Sequence, residues 1–348
     1  MTPFERALRE QIALEGPLTV ERYMGLCLAH YYGTRDPLGQ QGDFTTAPEI
    51  SQMFGELVGL WAAEVWAAMG RPDPVRLVEL GPGRGTLMAD LLRAARAVPA
   101  FRAALDVHLV ETSPALEAHQ RERLEGAGAS WHRTLAEVPD GPMLLVANEL
   151  FDALPVRQFL ATERGWCERL VGLGEDGRLT FGLAAEPEPG LPPPGRHGDV
   201  IEVSPARAAL AAELGGRVAE VGGAALVADY GGAGGRGDTL QAVRGHAYAD
   251  PLLAPGEADL TAHVDFASLA RAAAAAGAAV HGPVPQGRFL EALGIGARAE
   301  ALAHAAPRRR AEIEAGRRRL TGPGPGGMGE LFKAVALTHP ALPAPPGF

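Results

Sequence analysis

Residues 75 to 92, VRLVELGPGRGTLMADLL, leave few folds open to the chain that carries them. A short apolar run (Val75, Leu77, Val78, Leu80) stops at a glycine cluster, and a helical pattern (Leu87, Met88, Leu91, Leu92) begins at once. The segment therefore predicts strand, tight turn and helix, the succession that opens a nucleotide-binding α/β unit. The glycines stand at 81, 83 and 85, a G-x-G-x-G spacing, whereas a dinucleotide fingerprint requires G-x-G-x-x-G. In the dinucleotide motif the third glycine serves close helix packing at a pyrophosphate, so its displacement here weakens that reading. A dinucleotide enzyme and a turn that binds nothing stay as alternatives at this point.

Residues 107 to 111, VHLVE, predict a second apolar strand ending in Glu111, and Thr112, Ser113 and Pro114 suit a helix start. An acid at the tip of the second parallel strand can accept hydrogen bonds from both hydroxyls of a ribose; a solvated acid at a strand end is the plain alternative. The acid-preceded turn from Glu79 to Gly85, E-x-G-x-G-x-G, resembles motif I of class I S-adenosylmethionine methyltransferases. There the backbone bends beneath the methionine moiety and an acid faces its ammonium. Adenosylmethionine has the ribose and no phosphate.

At 348 residues the chain can bury a large core, in one enlarged domain or two smaller ones. A hydrophobic content of 47% with 21% charged residues describes a soluble globular protein. The net charge of −10 argues against broad nucleic-acid binding, which needs a basic surface to displace counterions. Cys27 and Cys167 lie far apart without a C-x-x-C spacing, so neither a disulfide framework nor a zinc site is indicated, and a cytoplasmic location is expected. The N-terminus, MTPFERALREQIALEG, mixes charges of both signs with scattered apolar residues. It reads as a helix of the folded protein, neither a signal peptide nor a membrane span.

Taken in order, helical spacing covers 3–14 and 19–31, with Gly16 and Pro17 between. The stretch 31–49 has no regular period, yet its Tyr31, Tyr32 and Phe44 predict an ordered loop. One long helix is expected over 49–69, started by Thr46-Ala47-Pro48-Glu49. A buried strand at 143–147 then runs into Asn148, Glu149, Leu150, Phe151 and Asp152. In an open parallel sheet this loop shares a rim with Gly81 to Gly85 and Glu111. Antiparallel strands follow over 156–183 with Glu175-Asp176-Gly177 as a hairpin turn, then a helix at 205–214 and a strand at 224–229. Residues 238–266 read as irregular; their His246, Asp259, His263 and Asp265 fit no standard zinc spacing, and no metal is expected. A helix at 266–276, a strand at 278–284, a helical stretch near 288–320 and a strand at 331–338 complete the chain. Arg308 to Arg310 and Arg317 to Arg319 read as a solvated face of that helical stretch.

Five blocks, GDFTTAPEISQMFGE (42–56), VELGPGRGTL (78–87), NELFDALP (148–155), GEADLTAHVDF (256–266) and GMGELFKAVAL (327–337), together resemble the signature blocks of the MidA-type methyltransferases, over residues 15 to 338. That family includes a mitochondrial assembly factor for respiratory complex I, a protein arginine methyltransferase, beside many bacterial members. The resemblance implies an α/β fold: a class I methyltransferase, Rossmann-like seven-stranded sheet with an N-terminal helical extension and substrate-side insertions. It divides the chain into 1–70, a helical extension with a cofactor-covering loop, and 71–338, an adenosylmethionine-binding domain with insertions near 156–200 and 236–325. The activity implied is protein arginine N-methylation with S-adenosyl-L-methionine as cofactor. Methylation of a small molecule at O, N or C, and an assembly chaperone that binds the cofactor without turnover, are the alternatives. A mitochondrial member would carry a transit peptide, whereas this chain starts almost directly with its first helix, so the complex I substrate is not carried over.

By this resemblance Glu79, Gly81, Pro82, Gly83, Gly85, Glu111, Asn148 and Thr45 would bind the cofactor. A guanidinium acceptor has a very high proton affinity, so nearby carboxylates must hold its donors and localise a lone pair on the attacking nitrogen. Glu149 and Asp152 are the first candidates. Asp43 and His263 form a second pair, able to orient substrate or take a proton. Each has a structural alternative: Asp152 capping a following helix, Asp43 fixing its own turn, His263 a satisfied buried histidine. The partners expected are a protein or small-molecule methyl acceptor, with no nucleic acid, no membrane, and a homodimer left open.

Overall fold

The strand Val75–Leu80 is buried along nearly its whole length, as an interior parallel strand must be. The computed structural model, which describes residues 1–34, 42–43, 45–324 and 326–348, places it inside a sheet whose main path has seven strands. Their order is Ala279–Pro285, Phe332–Thr338, Gly223–Gly232, Met143–Asn148, Val75–Leu80, Leu105–Val110, Ser130–His132. The five from Gly223–Gly232 onward run parallel, and Phe332–Thr338 is antiparallel to both of its neighbours. Val264–Asp265 adds a short parallel pairing to the end of Gly223–Gly232. This is the expected Rossmann-like sheet. Its register sets Leu80 beside both Val110 and Ala147, so the loops after these three strands emerge on one rim.

Local signals account for the helices around it. Gly85, left-handed at φ 75°, precedes helix Thr86–Ala95, which buries Leu87, Met88, Leu91 and Leu92. Ser113 caps Pro114–Arg123, its hydroxyl accepting the Leu116 N–H at 3.4 Å with proline in the first turn. The single helix expected over 49–69 is two: Ala47–Ile50 and Gln52–Ala68. Ser51 is extended (φ −161°) and turns its hydroxyl to the Met53 N–H, so a residue inside the apolar pattern acts as a cap. The second helix packs tightly on Thr86–Ala95, because a Cβ at Gly59 would come within 2.9 Å of the Leu91 carbonyl.

The chain forms two compact units, 45–151 with 209–233 and 264–348, and 1–44 with 152–208 and 234–263. The first holds the large sheet and a core centred on Phe54, Trp61, Leu77, Phe101, Leu144 and Leu226. The second holds helices Pro3–Glu15 and Val20–Thr34, with two antiparallel sheets. The larger of these contains Arg157–Thr162, Gly165–Leu173 and Leu179–Pro187, with Glu175-Asp176-Gly177 between the last two, as the alternation predicts. The smaller is Gln241–Arg244, Ala247–Ala249 and Asp259–Thr261, in a region that reads as irregular because strands of three or four residues show no period. Leu8, Ile12, Tyr23, Met24, Val171 and Leu260 build this unit's core. Residues 35–41 and 44 of the expected ordered loop, Phe44 among them, lie outside the described residues. Among the described residues no helix is long and apolar enough to cross a membrane.

Candidate cofactor and acceptor site

The glycine turn is built for close approach. Gly81, Gly83 and Gly85 all lie in the left-handed region, at φ 61°, 54° and 75°. The Gly81 N–H donates to the Val110 carbonyl at 3.0 Å, and the Gly85 N–H to that of Pro82 at 2.7 Å. The turn is thereby tied to the neighbouring strand and to itself. A Cβ on Gly81 would lie 2.9 Å from Leu150, which puts the loop after Met143–Asn148 directly against the glycine turn.

Two acids stand where the strand tips predict. Glu79 is 3% exposed, and its Oε2 is buried with no hydrogen-bond partner among the described residues. Burial pushes its carboxyl well above the ordinary range; an N–H from Met88 opposes this and the charge of Glu111 adds to it. Glu111 is 7% exposed: Oε1 accepts the Ser113 N–H at 2.7 Å and Oε2 the Gln120 amide at 2.9 Å. Burial raises this carboxyl too, against those two donors. An orphaned buried carboxylate oxygen suits a cationic ammonium, and a second acid held by its neighbours suits a diol, so the residues fit adenosylmethionine. Asn148 adds another orphan: its Oδ1 is buried without a partner among the described residues, while its Nδ2 donates to Glu149 at 3.1 Å.

Glu149 is held in a left-handed conformation (φ 50°) that non-glycine residues rarely adopt. Its Oε1 also accepts the Ala47 N–H at 2.8 Å, joining the strand tip to the first turn of helix Ala47–Ile50, two residues after Thr45. The loop is fixed from below by Asp229, fully buried at 0% exposure near the end of Gly223–Gly232. Asp229 Oδ2 accepts the N–H groups of Leu150 (3.1 Å) and Phe151 (2.8 Å), and Oδ1 that of Tyr230 (2.8 Å). Sequence reasoning passed over Asp229, although an acid closing the apolar run AALVAD is the same signal that singles out Glu111. Gln120, set in the polar run EAHQRER, gave no such signal.

The other three acceptor-side candidates belong to the second unit. Asp43 accepts the Tyr31 hydroxyl at 2.6 Å on Oδ2 and the Gly245 N–H at 2.7 Å on Oδ1, and so anchors a turn of the 241–249 hairpin. Asp152 accepts the N–H of Ala153 through Oδ1, and its carbonyl takes Arg207 and Ala262. His263 is fixed through its backbone, donating to Thr239 Oγ1 at 2.8 Å and accepting Arg207 at 2.7 Å. Burial lowers the His263 imidazole below its ordinary range, so it is a neutral donor and acceptor near pH 7. Among the described residues no group of three or more His, Cys, Asp or Glu is arranged to hold a metal.

Residues 57–284 match a family model described as S-adenosyl-L-methionine-dependent methyltransferase. The chain belongs to this methyltransferase family. It is 40% identical to mouse protein arginine methyltransferase NDUFAF7, mitochondrial, over 97% of this chain and 84% of that protein. The Drosophila melanogaster homolog of that protein is also 40% identical, over 97% and 85%. A crystal structure of a COG1565 superfamily member from Burkholderia thailandensis bound to S-adenosyl-homocysteine superposes with a TM-score of 0.87 at 29% identity, covering 99% of this chain and 93% of that one. The chain is an S-adenosylmethionine-dependent methyltransferase with that family's fold and cofactor. The cytoplasmic expectation is corrected here: the curated relatives carry a mitochondrial location in their names. A charged N-terminal helix and two free, buried cysteines do not discriminate between compartments.

Proposed function

We propose that the acceptor is an arginine side chain of a partner protein, with Glu149 as the group that receives it. The observation that carries this is Glu149 itself, a carboxylate held at φ 50° on a strand tip whose next residue, Leu150, packs against the glycine turn. Strain of this kind costs about 1–3 kcal/mol and persists only where the surroundings impose it, as Asp229 does here. The relatives named protein arginine methyltransferase support the choice of acceptor.

Bound adenosylmethionine supplies an electrophilic methyl carbon on a sulfonium. Glu79 and Glu111 would hold its ammonium and ribose, and the turn at Gly81 to Gly85 would leave room for its methionine moiety. Glu149 would accept N–H donors of the guanidinium, localising a lone pair on the nitrogen that attacks, while Asn148 Oδ1 offers an acceptor beside it. The divisions at 1–70 and 71–338, and the insertions near 156–200 and 236–325 as substrate-side elements, belong to this same proposal.

The test is transfer of labelled methyl from adenosylmethionine into a cell lysate, with Glu149→Gln as control. Label in protein, recovered as methylarginine after acid hydrolysis, is expected, with the variant at least 100-fold slower yet binding S-adenosyl-homocysteine as the parent does. Label confined to low-mass metabolites overturns the protein acceptor, and an undiminished variant overturns the role of Glu149.

A further inference from the structure

Gln120, in helix Pro114–Arg123, is completely buried at 0% exposure, a place where an uncharged amide survives only with its hydrogen bonds made. All are accounted for. Its Nε2 donates to the Gly83 carbonyl at 2.7 Å and to Glu111 Oε2 at 2.9 Å, while its Oε1 accepts the Trp131 indole N–H at 2.9 Å. The Trp131 contact fixes which end of the amide faces the turn, because an indole nitrogen only donates. Arg121 stacks 4.1 Å over the Trp131 ring and holds that donor in place. Gly85 packs on the same side chain, where a Cβ would sit 3.5 Å from Gln120.

We propose that Gln120 is a positioning residue for the cofactor: one amide sets the Gly83 carbonyl and the Glu111 carboxylate at a fixed separation, so that the methionine and ribose ends of adenosylmethionine are received in register. This rests on the reading that the glycine turn and Glu111 form the cofactor pocket. A core glutamine with no such task would be needed for stability alone. Gln120 instead directs both donors to the two elements that the cofactor must bridge.

S-adenosyl-homocysteine is the probe, titrated calorimetrically into the full chain and its variants, with folding followed by thermal denaturation. Gln120→Met keeps the volume and removes both donors, and should weaken binding roughly 10–100-fold, the loss of a charge-assisted hydrogen bond. Gln120→Glu is the sharper test. It places a second carboxylate against Glu111 and the Gly83 carbonyl, so the pair shares a proton at low pH and repulsion between two charges builds as that proton leaves. Its affinity should be poor at pH 8 and recover toward the parent's by pH 5.5 as the pair retains a proton and regains a donor. A merely structural role predicts no such recovery. Parent-like affinity in folded Gln120→Met, or a pH-independent loss in Gln120→Glu, overturns the inference while Gly83→Val and Glu111→Ala still lose binding. If those two bind as the parent does, the pocket reading itself fails and takes the inference with it.

Discussion

Glu149 and Asp229 show how a single residue can depend on another far along the chain. A glutamate at φ 50° is unfavourable alone, and it is stable here because the backbone donors of Leu150 and Phe151, the two residues after it, converge on a buried carboxylate that also takes the Tyr230 N–H. Asp229→Asn offers one acceptor oxygen in place of two and sets an NH2 against an N–H. It should destabilise the fold by about 1–3 kcal/mol, the penalty for a buried donor without its partner. Denaturant unfolding checks the stability, and methyl transfer should fall further than cofactor affinity does. Equal stability would mean that the loop after Met143–Asn148 holds itself. Of the candidate site residues, Glu111 was legible from the sequence, because a carboxylate that closes an apolar run is carried to the edge of the core and must meet a donor there, and Asp229 carries the same signal although it was passed over. Gln120 was not legible, since its meaning lies in a bond to a carbonyl 37 residues earlier, and Asp43 reads as a loop residue until the Gly245 N–H and Tyr31 hydroxyl are seen on it.

Among the elements, the helices Gln52–Ala68, Thr86–Ala95 and Ile295–Ala305 are joined through Glu56. Its carboxylate accepts Arg298 (2.7 and 2.9 Å), Arg93 (3.1 and 3.2 Å) and Gln52 (3.0 Å). Burial pushes Glu56 upward, but the two guanidiniums outweigh it and the carboxyl sits below its ordinary range. Asp90 fares differently. Burial raises it to about 6 despite Arg93 at 2.7 Å, and the charge of Glu56 adds to the rise. A carboxyl with a raised folded-state pKa holds its proton in the native state and loses it in the unfolded one between about pH 4 and 6. Stability then falls as pH rises through that window. Asp90→Asn removes the titration, so its stability relative to the parent should climb over that interval and level off above it, by about 1–3 kcal/mol. Thermal melts at pH 4, 5, 6 and 8 measure this, and a difference that does not vary with pH would refute it. The long elements were legible because their periods are strong. The break at Ser51 and the three short strands within 241–261 were not, since a cap inside an apolar pattern and strands of three or four residues leave no periodic trace.

For the whole molecule, cofactor binding and folding are linked. A ligand that binds only the native chain stabilises it by about 2.7 kcal/mol at a hundred times its dissociation constant. S-adenosyl-homocysteine should therefore raise the melting temperature of the parent and leave that of Gly83→Val unmoved, because valine is strained at φ 54° and fills the turn. A shift in the variant equal to the parent's would place the cofactor elsewhere. The antiparallel strand Phe332–Thr338, meanwhile, lies between Ala279–Pro285 and Gly223–Gly232, an interior seat in the sheet given to the last-made of its strands. A growing polypeptide emerging from the ribosome can assemble the turn at Gly81 to Gly85 early. It must then keep a gap in its β-sheet, with bare main-chain edges on both sides, until residues 332–338 have been made.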